Sequence, residues 1–332
     1  MNTINWGIIG CGDVCEMKSG PGFQKAANSA LVAVMRRDHA KARDYAARHH
    51  VPKYYTDADS LIADPEVNAV YVATPPSTHL EYAVRAMRAG KPVYVEKPMA
   101  MNFAECREML KTSEKTGQKL FVAFYRRALP YFLKVKELLD SGAIGNPLTV
   151  GVQYFRKPSE TDIDPQTHTW RVKKEIAGGG YFYDLAPHTL DILDFLLGEI
   201  DDAQAFTGNL GGFYEVEDSI SAVFRFHSGV QGMGQWCFVS SAAAERDTVE
   251  ITGTKGALCF NTFAFAPIKL ITGGNTEFFQ PEHPPHIQQP LIQSIVNDLR
   301  GEGKCPSTGV SGARTAWVMD KMFKVQSSMF KV

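Results

Sequence analysis

The chain predicts an α/β fold in two parts, a doubly wound parallel sheet at the N-terminus followed by an α+β domain with a large open, mostly antiparallel sheet. Two observations carry the prediction. From Ile4 to Tyr125, short runs rich in Val, Ile and Tyr alternate with amphipathic stretches of helical period, the pattern of strand-helix-strand units with parallel strands. From Leu148 onward the runs alternate apolar with polar residues and are joined by turns such as Ser228-Gly229 and Lys255-Gly256, as expected of strands with one wet face. Arg126-Arg127, a helical stretch from Leu129 to Asp140 and the residues Gly142, Gly145 and Pro147 form the join. The domains are therefore placed at 1–125 and 126–332.

In order, Ile4 to Gly10 reads as a buried strand that runs into Gly10-Cys11-Gly12-Asp13-Val14-Cys15. This is GxGxxG with Cys15 in the last glycine's place. Gly10 allows the tight turn, Gly12 the close approach of a pyrophosphate to a helix N-terminus, and Cys15 is small enough for the helix-strand contact. The first domain is thus a dinucleotide-binding (Rossmann) domain. Ser19-Gly20-Pro21-Gly22 is expected to break the following helix after about one and a half turns, with Lys18 solvated. Ala30 to Met35 is the second strand, followed by Arg36-Arg37-Asp38; Lys41 to Arg48 is helical. Asn68 to Ala73 is the third strand and ends in Thr74-Pro75-Pro76-Ser77-Thr78-His79, where prolines stop the ladder and Ser77 can cap a helix to Ala89.

Next comes Lys91-Pro92-Val93-Tyr94-Val95-Glu96-Lys97-Pro98. Pro92 to Val95 is a short buried strand that ends in a carboxylate, an amine and a proline, at the edge where open α/β sheets bind ligands. Proline restricts the residue before it, so Lys97 leaves a backbone with little freedom, which suits catalysis. Asn102 to Thr116 is a helix and Leu120 to Tyr125 a strand.

In the second domain Leu148 to Arg156 reads as a strand. After a polar loop, Gly178-Gly179-Gly180 opens a helix in which Asp184 and His188, four apart, share one face. Pro187 inside it implies a local irregularity. Phe206, Asp218 to Phe226, Val230 to Phe238, Thr248 to Thr252, Ala257 to Asn261 and Ile268 to Ile271 are strands, and Gln288 to Arg300 and Ser311 to Met329 closing helices. A single preceding helix leaves one sheet face uncovered, and an uncovered apolar face marks an interface. A homodimer or homotetramer through this sheet is expected.

Composition limits the alternatives. The 332 residues are 44% hydrophobic and carry a net charge of −1, enough apolar content for two cores and no basic run for nucleic acid. No long apolar stretch indicates a membrane span or a secretory signal, so the expected location is cytoplasmic. Six scattered cysteines lack metal-ligand spacing, so no metal site is expected.

Taken together, Gly10-Cys11-Gly12, Thr74-Pro75 with His79, Gly90-Lys91-Pro92 leading to Glu96-Lys97-Pro98, and the glycines leading to Asp184 and His188 resemble the Gfo/Idh/MocA family of nicotinamide oxidoreductases over nearly the whole chain. The resemblance implies a Rossmann domain followed by an α/β domain whose open sheet makes oligomer contacts. It maps the catalytic lysine onto Lys97 and a DxxxH pair onto Asp184 and His188. Trp170-Arg171 resembles a recurring Trp-Arg, and Arg127 a recurring arginine, both near cofactor or substrate. Cys15, the Gly20-Pro21-Gly22 stretch and Ala186, where many members have glycine, depart from the pattern.

The expected cofactor contacts are Gly10, Gly12, Asp13, Val14, Arg36, Arg37, Thr74, Pro75, His79, Glu96, Lys97, Trp170 and Arg171. The expected substrate contacts are Lys97, Arg127, Asp184 and His188. Hydride transfer needs a base for the hydroxyl proton and a charge for the developing alkoxide. His188 suits the first role because histidine titrates near neutrality, with Asp184 orienting it or binding a substrate hydroxyl; Lys97 suits the second, and the two roles are exchangeable. A sugar or polyol is the expected substrate. NADP(H) is expected over NAD(H), since Arg36 stands where an NAD enzyme usually places an acid and Arg37 adds a second guanidinium. A nucleotide-sensing regulator without catalysis, and another redox-coupled chemistry such as sugar hydrolysis, are the alternative readings.

Overall fold

A computed structural model describes residues 2–324. The chain forms two compact units. The first runs to Leu129 and takes in His283–Ala313; the second comprises Pro130–Glu282 and resumes at Arg314. The placement of everything after residue 125 in the second domain is corrected by the return of His283–Ala313 to the first. That segment is tied there by polar bonds: Gln288 bonds Glu96 and Tyr94, Lys119 pairs with Asp298, and Ser307 Oγ donates to the Val122 carbonyl. Helical period shows which residues of the helix Gln289–Arg300 are buried, but not which sheet buries them.

The first unit contains a parallel sheet of β1 (Ile4–Ile9), β2 (Ser29–Met35), β3 (Lys53–Tyr55), β4 (Ala69–Val72), β5 (Val93–Val95) and β6 (Leu120–Val122), in the order β3-β2-β1-β4-β5-β6. Strand order reverses at β1/β4, the switch point at which such sheets open a crevice. β4, β5 and β6 are buried along their whole length, so they read as continuous apolar runs. β3 and the helix Ala58–Ala63 were not anticipated, since a three-residue strand carries no periodicity.

The expected break at Ser19-Gly20-Pro21-Gly22 does not occur. A π-turn over Cys15–Ser19 passes into the helix Gly20–Lys25, with the Gly20 N–H reaching back five residues to the Cys15 carbonyl. Widening the turn accommodates Pro21, which has no N–H to give. Gly20 is required, because a Cβ there would run into the Cys15 carbonyl and the Tyr45 hydroxyl. The Cys15 side chain is fully buried, as its place in the glycine pattern demands.

The second unit is built on β7 (Pro147–Phe155), β8 (Ile200–Gly208), β9 (Ser219–Phe226), β10 (Gln231–Cys237), β11 (Arg246–Gly253), β12 (Gly256–Phe260), β13 (Ile268–Thr272) and β14 (Asn275–Phe279), in the order β14-β13-β12-β11-β7-β10-β9-β8. Only β7 and β10 pair parallel; the other pairs are antiparallel. β9 shows the alternation: Ile220, Ala222, Phe224 and Phe226 are buried, while Val223 between them is 58% exposed. The inner face is covered by the helix Tyr181–Leu197, whose Phe182 ring meets Trp236 edge-on at 5.1 Å. The helix is continuous through Pro187, where an irregularity was expected. The outer face exposes Phe206 and Met233 beside Gln204, Gln235 and Glu250 and forms a shallow concavity. The closing helix spans Gly309–Lys324; its expected continuation to Met329 lies outside the described residues.

Candidate active site

In the first unit the expected site residues lie at the carboxyl ends of β1, β2, β4 and β5. Gly10 has φ +93°, and a Cβ there would stand 2.7 Å from Thr74 Cγ2, so the turn after β1 requires glycine. At Gly12 the nearest atom to such a Cβ would be the Gly10 carbonyl at 3.9 Å, leaving open space beside the loop. A backbone without a side chain facing open space at a helix start fits a dinucleotide pyrophosphate. Asp13 is exposed and Val14 half-buried on that first turn.

At the end of β2, the half-buried Arg36 donates from Nη1 to the Cys11 carbonyl at 3.2 Å and so lies against the glycine loop, while Arg37 is exposed. Asp38 accepts from the Lys41 N–H at 3.1 Å as N-cap of the helix His39–Arg48, and that bond lowers its carboxyl below the ordinary value.

Past β5, Glu96 is 7% exposed and lies within a buried network. Tyr71 Oη donates to its Oε1 at 2.6 Å, Gln288 Nε2 to the same oxygen at 2.7 Å, and the Lys97 N–H to its Oε2 at 3.0 Å. Tyr94 Oη completes the chain by donating to Gln288 Oε1 at 2.8 Å. The Lys97-Pro98 bond is cis and Lys97 is partly exposed. His79 is fully buried; its ring nitrogens lie 2.9 Å from the Pro98 carbonyl and 2.7 Å from the Thr74 carbonyl. Burial pushes its imidazole below the ordinary value, against the pull of those carbonyls and the Glu96 charge. Glu96 and His79, expected as cofactor contacts, are buried and bond the turns that carry Lys97 and Thr74. Thr74 is half-buried, with its Oγ1 accepting from Thr78 at 2.8 Å, and Pro75 is exposed. Arg127, expected near substrate, is 3% exposed and donates to the Pro306 carbonyl at 3.3 Å.

In the second unit the expected site residues Asp184 and His188 lie on the helix Tyr181–Leu197. Its opening glycines serve three different ends. Gly178, at φ +88°, terminates the helix Lys174–Ala177; at Gly179 a Cβ would run into the Tyr183 ring; at Gly180 it would stand 2.5 Å from the Glu217 carbonyl. Asp184 accepts from Arg171 Nε at 2.9 Å, and the Arg171 guanidinium lies 4.7 Å from the centre of the half-buried Trp170 ring. Trp170-Arg171 is therefore tied to the Asp184 end of the pair. His188 is 5% exposed and meets the Phe263 ring edge-on at 5.8 Å. Phe263 belongs to a loop whose N–H groups at Thr262, Phe263 and Ala264 all bond the Asp247 carboxylate.

Sequence reasoning missed Tyr71, Gln288 and Glu217. Tyr71 sits in an apolar strand and reads as core, while Gln288 and Glu217 lie far along the chain from the residues they hold. Among the described residues no cluster of His, Cys, Asp or Glu could hold a metal ion, and no helix is long and apolar enough to cross a membrane.

Known proteins resemble this chain in sequence and in fold. The family described as "Oxidoreductase family, NAD-binding Rossmann fold" matches residues 4–124, and the GFO/IDH/MocA C-terminal domain matches residues 132–259. An oxidoreductase of Formosa agariphila is 41% identical over 96% of this chain and 98% of its own. A 1,5-anhydro-D-fructose reductase of Ensifer adhaerens is 28% identical over 92% of this chain and 91% of its own. The fold is shared with the aldose-aldose oxidoreductase of Caulobacter crescentus, solved with glycerol, at TM-score 0.84 and 24% identity over 96% of each chain. It is also shared with a levoglucosan dehydrogenase, solved with NADH and levoglucosan, at the same TM-score, identity and coverage, 0.84, 24% and 96%. Both matched domains and a relative aligned almost end to end place this chain in the Gfo/Idh/MocA family of NAD(P)-dependent dehydrogenases and reductases.

Proposed function

We propose that this protein transfers a hydride between NADP(H), with NAD(H) the poorer cofactor, and a CH–OH or carbonyl group of a sugar or polyol. The observation that carries the reading is the mounting of Lys97: the amine emerges at the carboxyl edge of β5 from a turn held by the Glu96 network on one side and by His79 on the Pro98 carbonyl on the other. A polar network this deep is costly unless it fixes something. The substrate class is supported by the names of the relatives, a 1,5-anhydro-D-fructose reductase, an aldose-aldose oxidoreductase and a levoglucosan dehydrogenase.

Gly10, Gly12, Asp13, Val14, Thr74 and Pro75 would hold the dinucleotide. Arg36 and Arg37 would take its adenosine 2′-phosphate, and the acid that follows them, Asp38, is engaged as a helix cap. When bound, the nicotinamide supplies or accepts the hydride. In the oxidation direction His188 takes the hydroxyl proton while Lys97 donates a hydrogen bond to the oxygen as it becomes a carbonyl. Asp184 binds a neighbouring hydroxyl or orients His188, and Arg171 holds Asp184 in place. Reduction reverses each step.

A second copy of the chain is the proposed occupant of the outer face of the second sheet, where Phe206, Val223 and Met233 are 85%, 58% and 63% exposed. Light scattering at micromolar concentration should give an even-numbered oligomer, and a monomer would reject it. Activity is tested by following reduced-cofactor absorbance with each nucleotide across sugars, polyols and dicarbonyls. Turnover of a sugar or polyol with NADP favoured is expected. Nucleotide binding with no turnover on any of them would indicate a sensor, and NAD favoured would reject the cofactor assignment.

A further inference from the structure

We propose that Glu217 is a positioning residue for the helix Tyr181–Leu197: its carboxylate takes up the free N–H of the N-cap residue, Gly180, and its charge offsets the positive helix end beneath Asp184 and His188. The N-cap residue, Gly180, makes no side-chain cap bond; its N–H instead donates to Glu217 Oε1 at 2.8 Å, thirty-seven residues away in sequence. The surroundings are shaped to admit this carboxylate. A Cβ on Gly179 would lie 3.0 Å from Glu217 Oε1, and one on Gly180 2.5 Å from the Glu217 carbonyl and 3.0 Å from Val216 Cγ2.

Its mounting is equally fixed. The neighbouring Asp218 is fully buried, accepts from the Leu210 and Gly211 N–H groups at 2.8 and 2.7 Å, and through its backbone bonds the Gly208 carbonyl and the Phe238 N–H. The charged and titratable groups that act on Glu217 are Lys174 from the short helix before the glycines, Asp218 on its own segment, and Tyr183, itself near Asp320. Burial raises the Glu217 carboxyl above its ordinary value, and the Gly180 and Lys174 contributions only partly oppose this. With the folded value above the unfolded one, Glu217 costs stability as pH rises through the folded value. A cap kept only for stability has no reason to carry that cost, since glutamine supplies the same acceptor.

The consequence for His188 follows from distance. It lies eight residues beyond Gly180, about 12 Å along a helix rising ~1.5 Å per residue. A unit charge at that range moves a titration by between about a quarter and one pH unit, for effective dielectric constants from roughly 80 down to 20. Removing the Glu217 charge lowers the pH at which His188 titrates, and so the base it offers.

This inference rests on the assignment of Asp184 and His188 to the catalytic helix, and the test separates the two. The ring of His188 is titrated by NMR in wild type and in Glu217→Gln and Glu217→Ala, with His188→Asn identifying the signal, and kcat and KM are measured beside it. Glu217→Gln should leave Tm unchanged or higher, lower the His188 titration point within that range and reduce kcat about threefold with KM unchanged. Glu217→Ala, which also removes the cap, should reduce kcat tenfold or more. An unmoved His188 titration in Glu217→Gln overturns the proposal, whatever the activity. Normal turnover in His188→Asn overturns the catalytic assignment instead and leaves a measured shift standing.

Discussion

The turn that carries Lys97 and the helix that carries Asp184 and His188 are held by different kinds of force. Around Lys97 the supports are neutral donors, Tyr71 and Gln288 on Glu96, in a region closed to water. Around Asp184 the support is a guanidinium with 42% of its side chain exposed, and the helix end is capped by a carboxylate whose ionisation burial disfavours. Buried hydrogen-bond networks are little screened and hold one geometry, whereas half-exposed charge pairs respond to salt and pH. The turn that carries Lys97 is therefore held in one geometry, while the contacts of the helix that carries Asp184 and His188 are the ones open to salt and pH.

The largest expected effect tests whether the rigidly held turn supplies a reacting group. Lys97→Ala should lower kcat by roughly two to four powers of ten, with cofactor affinity within about threefold. Steady-state kinetics and a cofactor titration check this, and near-normal turnover would make Lys97 a surface residue. Next is the choice of cofactor. Replacing Arg36 and Arg37 together by alanine should shift the NADP-to-NAD ratio of kcat/KM by about one to two powers of ten, the value of one charge-assisted contact. The KM for substrate should stay unchanged, since neither arginine is among the expected substrate contacts; a shift in it would mean that they act on more than the cofactor.

The two smaller effects form a matched pair. Tyr71→Phe withdraws one donor from buried Glu96, which should cost about 1–3 kcal/mol in a urea melt and about tenfold in kcat, with little dependence on salt. Arg171→Ala breaks a pair open to water and should cost below about 1 kcal/mol, while raising KM a few-fold. Added salt should imitate the Arg171 change in the wild-type protein and leave the Tyr71 effect alone. Equal salt sensitivity in both would remove the contrast between the turn and the helix.

Much of the architecture was legible because burial leaves a period in the residues. β5 reads as a strand because Val93, Tyr94 and Val95 are all buried, and β9 because every second residue is. β3, β14 and the helix Ala58–Ala63 were missed because short or exposed elements have no such record. Pro21 misled for a different reason. Proline forbids one hydrogen bond, and a π-turn made at Cys15–Ser19 gives the chain a way around that loss which residue type alone does not reveal.

By itself the sequence determined what is local: the glycine turn after β1, the arginines after β2, the charged end of β5 and the Asp-His spacing on one helix. Each depends on neighbours within about a turn, where backbone sterics and side-chain period decide. Only the tertiary structure decided what holds these groups. Gln288 reaches Glu96 from 192 residues away, His79 bridges the loops after β4 and β5, and Glu217 caps the helix that begins at Tyr181. Such partners meet through sheet order and the chain's return to an earlier unit, and a hydrogen bond between distant residues leaves no period along the chain.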